Sequence, residues 1–127
     1  MTWAVDPASD VAPSRQIVEA VLDALARGVL EVGGKLLSVR LMAAEALVNP
    51  NTVAKAYRDL EQMGAVRGQN GRGVFVTEEG PAIARETRRA ATRIAFERVT
   101  REALRAGHDL EELLNIVSNK GEERKTG

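Results

Sequence analysis

The chain has 127 residues, 44% of them hydrophobic but only 3% aromatic, so its core must be built from aliphatic side chains. It contains no cysteine and one histidine, His108, which excludes disulfides, thiolate metal sites and the usual Ser-His or Cys-His catalytic pairs. We therefore expect no catalytic residues, no metal and no cofactor. The net charge is zero. No stretch approaches the roughly 20 apolar residues that span a bilayer, and the N-terminus lacks the pattern of a secretory signal, so a cytoplasmic protein without membrane partners is expected.

The chain begins with a segment that has no helical pattern. Residues 1–13 carry two prolines, two aspartates and few apolar side chains, which predicts an irregular arm. Trp3 and Val5 alternate along this arm, so it could pack as a short strand. An unpacked tail is the equally weighted alternative, because chain ends are often loose.

An amphipathic helix is predicted over residues 14–28. Its aliphatic residues recur at three- and four-residue spacing, Ser14 is placed to cap its N-terminus, and Gly28 lies just beyond its last turn. Gly33 and Gly34 then predict a turn, and residues 35–37 are compatible with a very short strand.

Residues 38–64 predict two further helices joined by a tight turn. Ser38 is expected to cap the first of them over residues 39–46, and Asn49 the second, with Pro50 at its first helical position. The second of these helices has an apolar stripe formed by Val53, Ala56, Tyr57, Leu60 and Met63. Its other face carries Asn51, Thr52, Lys55 and Arg58.

A helix with a buried back and a small polar, basic front is what a helix-turn-helix protein inserts into the major groove of DNA. The alternative is a helix whose polar face is simply solvated, which is the commoner case for an isolated amphipathic helix. The segment 35–72 carries six basic and three acidic residues, a local net charge of +3. A local patch of this kind can bind phosphate even when the whole chain is neutral.

A short basic hairpin is predicted directly after this helix. Residues 65–67 and 74–76 are predicted to be strands, and the glycine-rich segment 68–73 between them is predicted to be a turn. An ordinary hairpin with a solvated arginine is the alternative. The position of the hairpin, immediately after a helix-turn-helix, favours a DNA-binding wing with Gly71 and Arg72 at its tip.

A polar break is expected to separate a winged helix-turn-helix domain over residues 11–79 from a C-terminal helical region over residues 81–119. That region predicts a long arginine-rich helix followed by a shorter helix capped by Asp109. Residues 120–127 are charged, lack apolar periodicity and are predicted to be a disordered tail.

A lone helical hairpin has nowhere to bury its apolar side chains, each worth about 1.5–3 kcal/mol when buried. We therefore predict a homodimer formed through the C-terminal helices. The alternative is that these helices pack on the winged domain of their own chain, and the arginines of the long helix are expected to form a solvated face. The predicted dimerisation residues are Ile94, Val99, Leu104, Leu110, Leu113, Leu114 and Val117.

Residues 11–76 carry a linked series of motifs: Ser38-Val39-Arg40, Ala43-Ala44, Val48-Asn49-Pro50-Asn51-Thr52-Val53, Ala56-Tyr57, Leu60-Glu61, Gly64 and Gly71-Arg72-Gly73. This series resembles the winged-helix DNA-binding domain of the GntR family of bacterial transcription regulators, although Leu47 stands where that family commonly has glycine. The C-terminal region resembles that of the small YtrA-type subfamily. The 46 residues after Pro81 are too few for the effector-binding or aminotransferase-like domains of larger relatives.

The resemblance implies how the domain would contact DNA. Arg40, at the start of the second helix, would contact phosphate and could reach a base edge, while Tyr57 could reach a phosphate. Gly71 and Arg72 would lie in or beside the minor groove. The full set of candidate DNA-binding residues is Ser38, Arg40, Asn49, Asn51, Thr52, Lys55, Tyr57, Arg58, Gly71 and Arg72.

The sequence therefore predicts a mainly α fold with a small β-wing, in which a winged helix-turn-helix domain precedes a C-terminal two-helix dimerisation region. The implied function is that of a sequence-specific transcription regulator, a repressor that binds a palindromic operator in double-stranded DNA as a homodimer. The alternative is a winged-helix module that binds another protein rather than DNA. The operator, the regulated genes and any small-molecule effector are left open.

Overall fold

The structure is a computed structural model that describes residues 3–126. The first two residues of the predicted arm and the last residue of the predicted tail lie outside this range. The described elements, in chain order, are α1 (Pro13–Ala26), α2 (Val39–Ala46), α3 (Pro50–Gln62), β1 (Val66–Gln69), β2 (Gly73–Val76), α4 (Gly80–Arg105) and α5 (Leu110–Thr126). This order confirms the predicted fold class, mainly α with a small β-wing.

The chain divides into two compact units, residues 1–90 and residues 91–127, and the division falls within α4. The sequence places a boundary earlier, between residues 79 and 81. The first turns of α4 belong to the N-terminal unit because Gly80 and Ala84 are buried. A Cβ added at Gly80 would lie only 2.6 Å from the carbonyl oxygen of Ala65, so this glycine allows α4 to begin directly against the backbone that joins α3 to β1.

The core of the N-terminal unit is aliphatic, as the composition predicts. Side chains from α1, α2, α3 and the β-hairpin form one buried cluster, and α3 packs mainly against α1 and α2. Each fully buried leucine, isoleucine or valine contributes about 1.5–3 kcal/mol relative to an exposed one. The largest fully buried members include Ile17, Leu22, Leu25, Met42 and Leu60.

The N-termini of α2 and α3 are capped as the sequence predicts. The Ser38 hydroxyl oxygen accepts a hydrogen bond from the Leu41 N–H (3.2 Å), and Asn49 Oδ1 accepts one from the Asn51 N–H (2.8 Å). Such caps satisfy N–H groups that have no partner within the helix. Gly64 follows the C-cap of α3 with φ at +85°, in the left-handed region, and ends the helix.

The structure corrects the predicted start of α1. The helix begins at Pro13, its N-cap is Ala12, and none of the described side chains caps it, so Ser14 is not the N-cap. Proline suits the first helical position because its missing N–H would have no helical partner there and its φ is already helical. Gly28 follows the C-cap with φ at +78° and ends the helix as predicted.

The described part of the N-terminal arm is packed rather than loose. The Val5 N–H donates to the carbonyl oxygen of Ala46 at the end of α2 (3.2 Å), and Trp3 lies half-buried against the core. The Gln16 side chain accepts from the Asp6 N–H (2.9 Å) and donates to the Asp6 carbonyl oxygen (3.0 Å). These bonds hold the arm on the helix-turn-helix without a regular strand.

The C-terminal unit consists of the remainder of α4 and of α5. Gly107, with φ at +102°, lies between these helices, and Asp109 Oδ1 accepts from the Glu112 N–H (2.8 Å), which confirms the predicted cap. Neither α4 nor any other helix within residues 3–126 combines the length and the apolarity that crossing a bilayer requires.

The described residues of the predicted disordered tail, 120–126, are helical, and residue 127 lies outside the described range. Helix α5 continues to Thr126, the last described residue. Lys120 and Glu123, three residues apart, form an ion pair of 3.3 Å, and a second pair with the same spacing follows. Charge pairs at this spacing support a solvated helix that has no apolar stripe.

The turn between α2 and α3 contains a strained residue. Leu47 has φ of +59° and ψ of +48°, the left-handed conformation, which costs roughly 1–2 kcal/mol for a residue with a Cβ. Its side chain is 83% exposed, so burial does not offset this cost. Leucine at position 47, in place of the glycine that is common in the GntR family, therefore keeps the geometry of the turn but strains its backbone.

Replacing Leu47 with glycine is expected to raise the free energy of unfolding by about 1 kcal/mol, because glycine adopts this conformation without steric cost. The matched control is Leu41→Gly, in which the same change within α2 should lower stability by about 1 kcal/mol or more. Urea unfolding followed by circular dichroism measures both changes. A lower stability for Leu47→Gly would show that the turn is not strained.

Candidate nucleic-acid interface

Helix α3 presents one buried and one exposed face. Val53 and Leu60 on its back are fully buried, whereas Asn51, Lys55 and Arg58 on its front are exposed. The three front residues are spaced by three or four positions, which places them on one side of the helix. The polar front predicted from the sequence therefore lies on the surface of its own subunit.

Lys55 pairs with a carboxylate of its own helix. Its ammonium nitrogen lies 3.4 Å from Asp59 Oδ2, one turn further along, and the Lys55 side chain is 61% exposed. An exposed pair of this kind contributes about 0–1 kcal/mol, so phosphate or a base edge can replace Asp59 at little cost. Thr52, which lies between the exposed front and the buried back, is half-buried.

Two candidate contact residues also hold the helices in shape. Ser38 and Asn49 use their side-chain oxygens to cap α2 and α3. The Ser38 hydroxyl hydrogen and the Asn49 amide hydrogens are the groups that can donate to phosphate or to a base. Arg40 is exposed in the first turn of α2, where its guanidinium is accessible to DNA.

The hairpin carries the predicted wing residues at its tip. Gln69 pairs with Gly73, and residues 70–72 form the turn between them, closed by a hydrogen bond from the Arg72 N–H to the Gln69 carbonyl oxygen (2.9 Å). Gly71 has φ of +71°, in the region that favours glycine. Gly71 and Arg72 are exposed, so the guanidinium is accessible to a nucleic acid.

The segment before α2 extends the hairpin along the outer edge of β2. The Gly33 N–H donates to the Val76 carbonyl oxygen (3.0 Å), and the Leu36 N–H donates to that of Val74 (2.9 Å). This contact takes the place of the very short strand that the sequence allows over residues 35–37. The outer edge of the wing is therefore held by backbone hydrogen bonds to the segment that precedes α2.

Two side chains that are not in the predicted set of DNA-binding residues fix the wing to α3. Glu61, in the last turn of α3, accepts from the Gly68 N–H of β1 (3.0 Å). The Thr77 hydroxyl, just after β2, donates to the carbonyl oxygen of Gly64 (2.6 Å) at the end of α3. No local sequence signal identifies such bonds, because each joins elements that become neighbours only in the fold.

The structure corrects the suggestion that Tyr57 contacts phosphate. Tyr57 is 5% exposed, and its hydroxyl donates to the Leu37 carbonyl oxygen (2.7 Å). A phosphate oxygen acts only as an acceptor here, and the single hydroxyl hydrogen is already donated. Burial also raises the pKa of Tyr57 above its usual value, so the phenol stays protonated. Tyr57 instead ties α3 to the segment that precedes α2.

The predicted dimerisation residues lie on α4 and α5. Leu113 is half-buried, and the other six are exposed, as are Phe96 and Ile116, which the sequence analysis left out of the set. Exposed apolar surface of this extent is typical of a protein-protein interface. The exposed members of the predicted set are Ile94, Val99, Leu104, Leu110, Leu114 and Val117.

A winged helix-turn-helix that exposes the polar front of its recognition helix, α3, beside a cationic wing has the architecture of a DNA-binding transcription regulator. Residues 13–76, half of the chain, match the family described as "Bacterial regulatory proteins, gntR family". The chain therefore belongs to the GntR family.

Known relatives match over most of the chain. The HTH-type transcriptional repressor YtrA of Bacillus subtilis (strain 168) is 30% identical over 123 residues, 97% of this chain and 95% of that protein. A solved GntR family transcriptional regulator from Listeria monocytogenes is 27% identical with a TM-score of 0.75, covering 91% of this chain and 98% of that chain. YtrA from Sulfolobus acidocaldarius, a GntR-family transcription factor, is 30% identical with a TM-score of 0.60, covering 76% and 99%. These matches confirm the resemblance to the YtrA-type subfamily.

Tyr57→Phe is expected to lower the free energy of unfolding by about 1–2 kcal/mol, because it leaves the half-buried Leu37 carbonyl oxygen without its donor. The affinity of the folded variant for DNA should stay that of the wild type, because the hydroxyl faces the protein. Chemical unfolding and fluorescence anisotropy with a DNA duplex measure the two effects. Weaker DNA binding at unchanged stability would restore Tyr57 as a contact residue.

Proposed function

We propose that this protein represses transcription in the cytoplasm by binding a palindromic operator as a homodimer. The observation that carries the proposal is the exposed polar front of α3, held on an aliphatic base and fixed beside a cationic wing tip. Repression in particular is supported by the B. subtilis relative, which is described as a transcriptional repressor and matches nearly the whole chain.

The front of α3 carries side chains that can read base edges in the major groove. The Asn51 amide can both donate to and accept from an adenine, and Lys55 can donate to a guanine. The methyl group of Thr52 can contact a thymine methyl. Together these side chains supply the sequence preference, and Arg58, further along the same face, contributes a phosphate contact.

Phosphate contacts supply most of the affinity in this proposal. Arg40 and Arg72 are exposed cations on α2 and on the wing. The N-termini of α2 and α3, at Ser38 and Asn49, add partial positive charge from their backbone N–H groups. Because binding releases counterions from the DNA, the affinity should fall steeply as salt concentration rises.

Self-association through α4 and α5 would present two recognition helices to one operator. Eight of their large apolar residues are 46–69% exposed, which is unfavourable in water unless another surface covers them. A second copy supplies an identical surface and gives a two-fold axis. A palindromic site then follows, with half-sites about 34 Å or a multiple of that distance apart.

Asn51→Ala and Arg72→Ala are expected to weaken DNA binding in different ways. Genomic fragments selected by the purified protein provide a specific duplex, and a base-scrambled duplex of equal length provides a non-specific one. Asn51→Ala should lose about 1–3 kcal/mol on the specific duplex alone, because it removes a base contact. Arg72→Ala should weaken binding to both duplexes and reduce the slope of log K against log salt by about 1, because it removes a phosphate contact.

Fluorescence anisotropy between roughly 50 and 200 mM salt measures these effects. Arg93→Ala is the matched control, because Arg93 lies in the C-terminal unit and pairs with Glu97 (3.1 Å). It should leave the affinity unchanged. If the wild-type protein binds no genomic fragment, or binds every fragment with an affinity that does not change with salt concentration, DNA binding is contradicted. A protein partner for this surface is then favoured.

Leu114→Asp is expected to produce monomers on a calibrated sizing column, because it places a charge in the apolar surface of α5. Asn119→Asp, on the opposite side of the same helix, makes a comparable acidic substitution away from that surface and should leave the dimer intact. Leu114→Asp protein that remains dimeric would show that α5 does not form the interface.

A further inference from the structure

Lys35 lies on the wing, although it precedes α2 in the chain. Its Cα opposes that of Phe75 in an isolated antiparallel bridge at the outer edge of β2. The backbone bonds on either side of this bridge, from Gly33 and Leu36, hold the segment in place. Lys35 is exposed, so its ammonium is accessible to solvent or to a ligand.

The Lys35 side chain runs along the wing towards its tip. A Cβ added at Gly73 would lie 2.6 Å from Lys35 Cε and 3.5 Å from its Nζ. Gly73 is two residues closer to the tip than Phe75, the residue that faces Lys35 across the bridge. The ammonium therefore lies beside the residue that follows Arg72. Gly73 leaves room for this path, because a larger residue would occupy the space that the lysine stem crosses.

The charged residues of the hairpin segment itself are all basic. Residues 62–77 contain two arginines, Arg67 and Arg72, and no acidic residue. The residue facing Gly73 on β1 is the neutral Gln69. Within the described residues, Lys35 has no ion-pair partner, in contrast to Lys55, which is paired with Asp59.

We propose that Lys35 is a second phosphate-contacting cation of the wing, acting beside Arg72 on the DNA backbone. This inference rests on the proposed function and adds a residue from outside both the helix-turn-helix and the hairpin. Repulsion between Lys35 and the two arginines of the hairpin is relieved when a polyanion binds. Phosphate is the group that such a pair fits.

The two cations differ in how they are held. Arg72 lies in a three-residue turn at the tip, whereas Lys35 is anchored through backbone bonds to the side of β2 and its stem lies on Gly73. An anchored stem loses less side-chain entropy on binding. Lys35 is expected to act on any duplex, since a phosphate contact carries no sequence information.

The test compares Lys35→Met, Lys35→Ala and the control Lys120→Met with the wild-type protein on a selected duplex and on a base-scrambled duplex. Methionine keeps an apolar stem over Gly73 and removes the charge, whereas alanine removes the stem as well. Lys35→Met should reduce the slope of log K against log salt by about 0.9 per bound protomer and raise Kd roughly tenfold at low salt. The loss should be the same on both duplexes, and Lys120→Met should behave as the wild type.

Each result decides a separate point. If the wild-type protein binds DNA and Lys35→Met has the same affinity and the same slope of log K against log salt, the role of Lys35 is overturned. The proposed function then still stands. A loss confined to Lys35→Ala would assign Lys35 to packing on the wing rather than to phosphate binding, and would also overturn the inference. Failure of the wild-type protein to bind either duplex would overturn the proposed function and this inference with it.

Discussion

The burial of the back of α3 against α1 and α2 is the constraint on which the interface depends. Val53, Ala56 and Leu60 have no measurable exposure, so the helix cannot rotate about its axis without exposing them to water. Because the buried face of α3 cannot move, its exposed polar face is held in a single orientation. A helix held in this way loses little conformational entropy when it enters a groove, which favours both affinity and specificity.

The wing depends on the same base. Bonds from Glu61 and Thr77 join the hairpin to α3, and the segment before α2 holds its other edge. These hydrogen bonds thus set the distance between the recognition helix and the wing tip. This arrangement explains how a chain with zero net charge can bind a polyanion, because residues 35–72 carry six basic and only three acidic residues and hold several of these cations on one rigid surface.

Local signals in the sequence predicted the helices and their caps well, because Ser38, Asn49 and Gly64 act on neighbouring backbone groups. The start of α1 was misplaced because Pro13 and Ser14 offer competing signals, and helix ends depend on small energy differences. The role of Tyr57 could not be settled from periodicity, which places a residue on a face but does not show its hydrogen-bond acceptor. Contacts distant in sequence, such as that of Lys35 with β2, have no local signature.

The most direct test of the central claim, that α3 and the wing form one preformed DNA-binding surface, is an NMR titration of ¹⁵N-labelled protein with a selected operator duplex. The largest amide shift changes should fall at residues 38–40, 51–58 and 70–73, and the backbone of these segments should keep its secondary chemical shifts. Changes concentrated on α1 or α5, with α3 and the hairpin tip unaffected, would contradict the account.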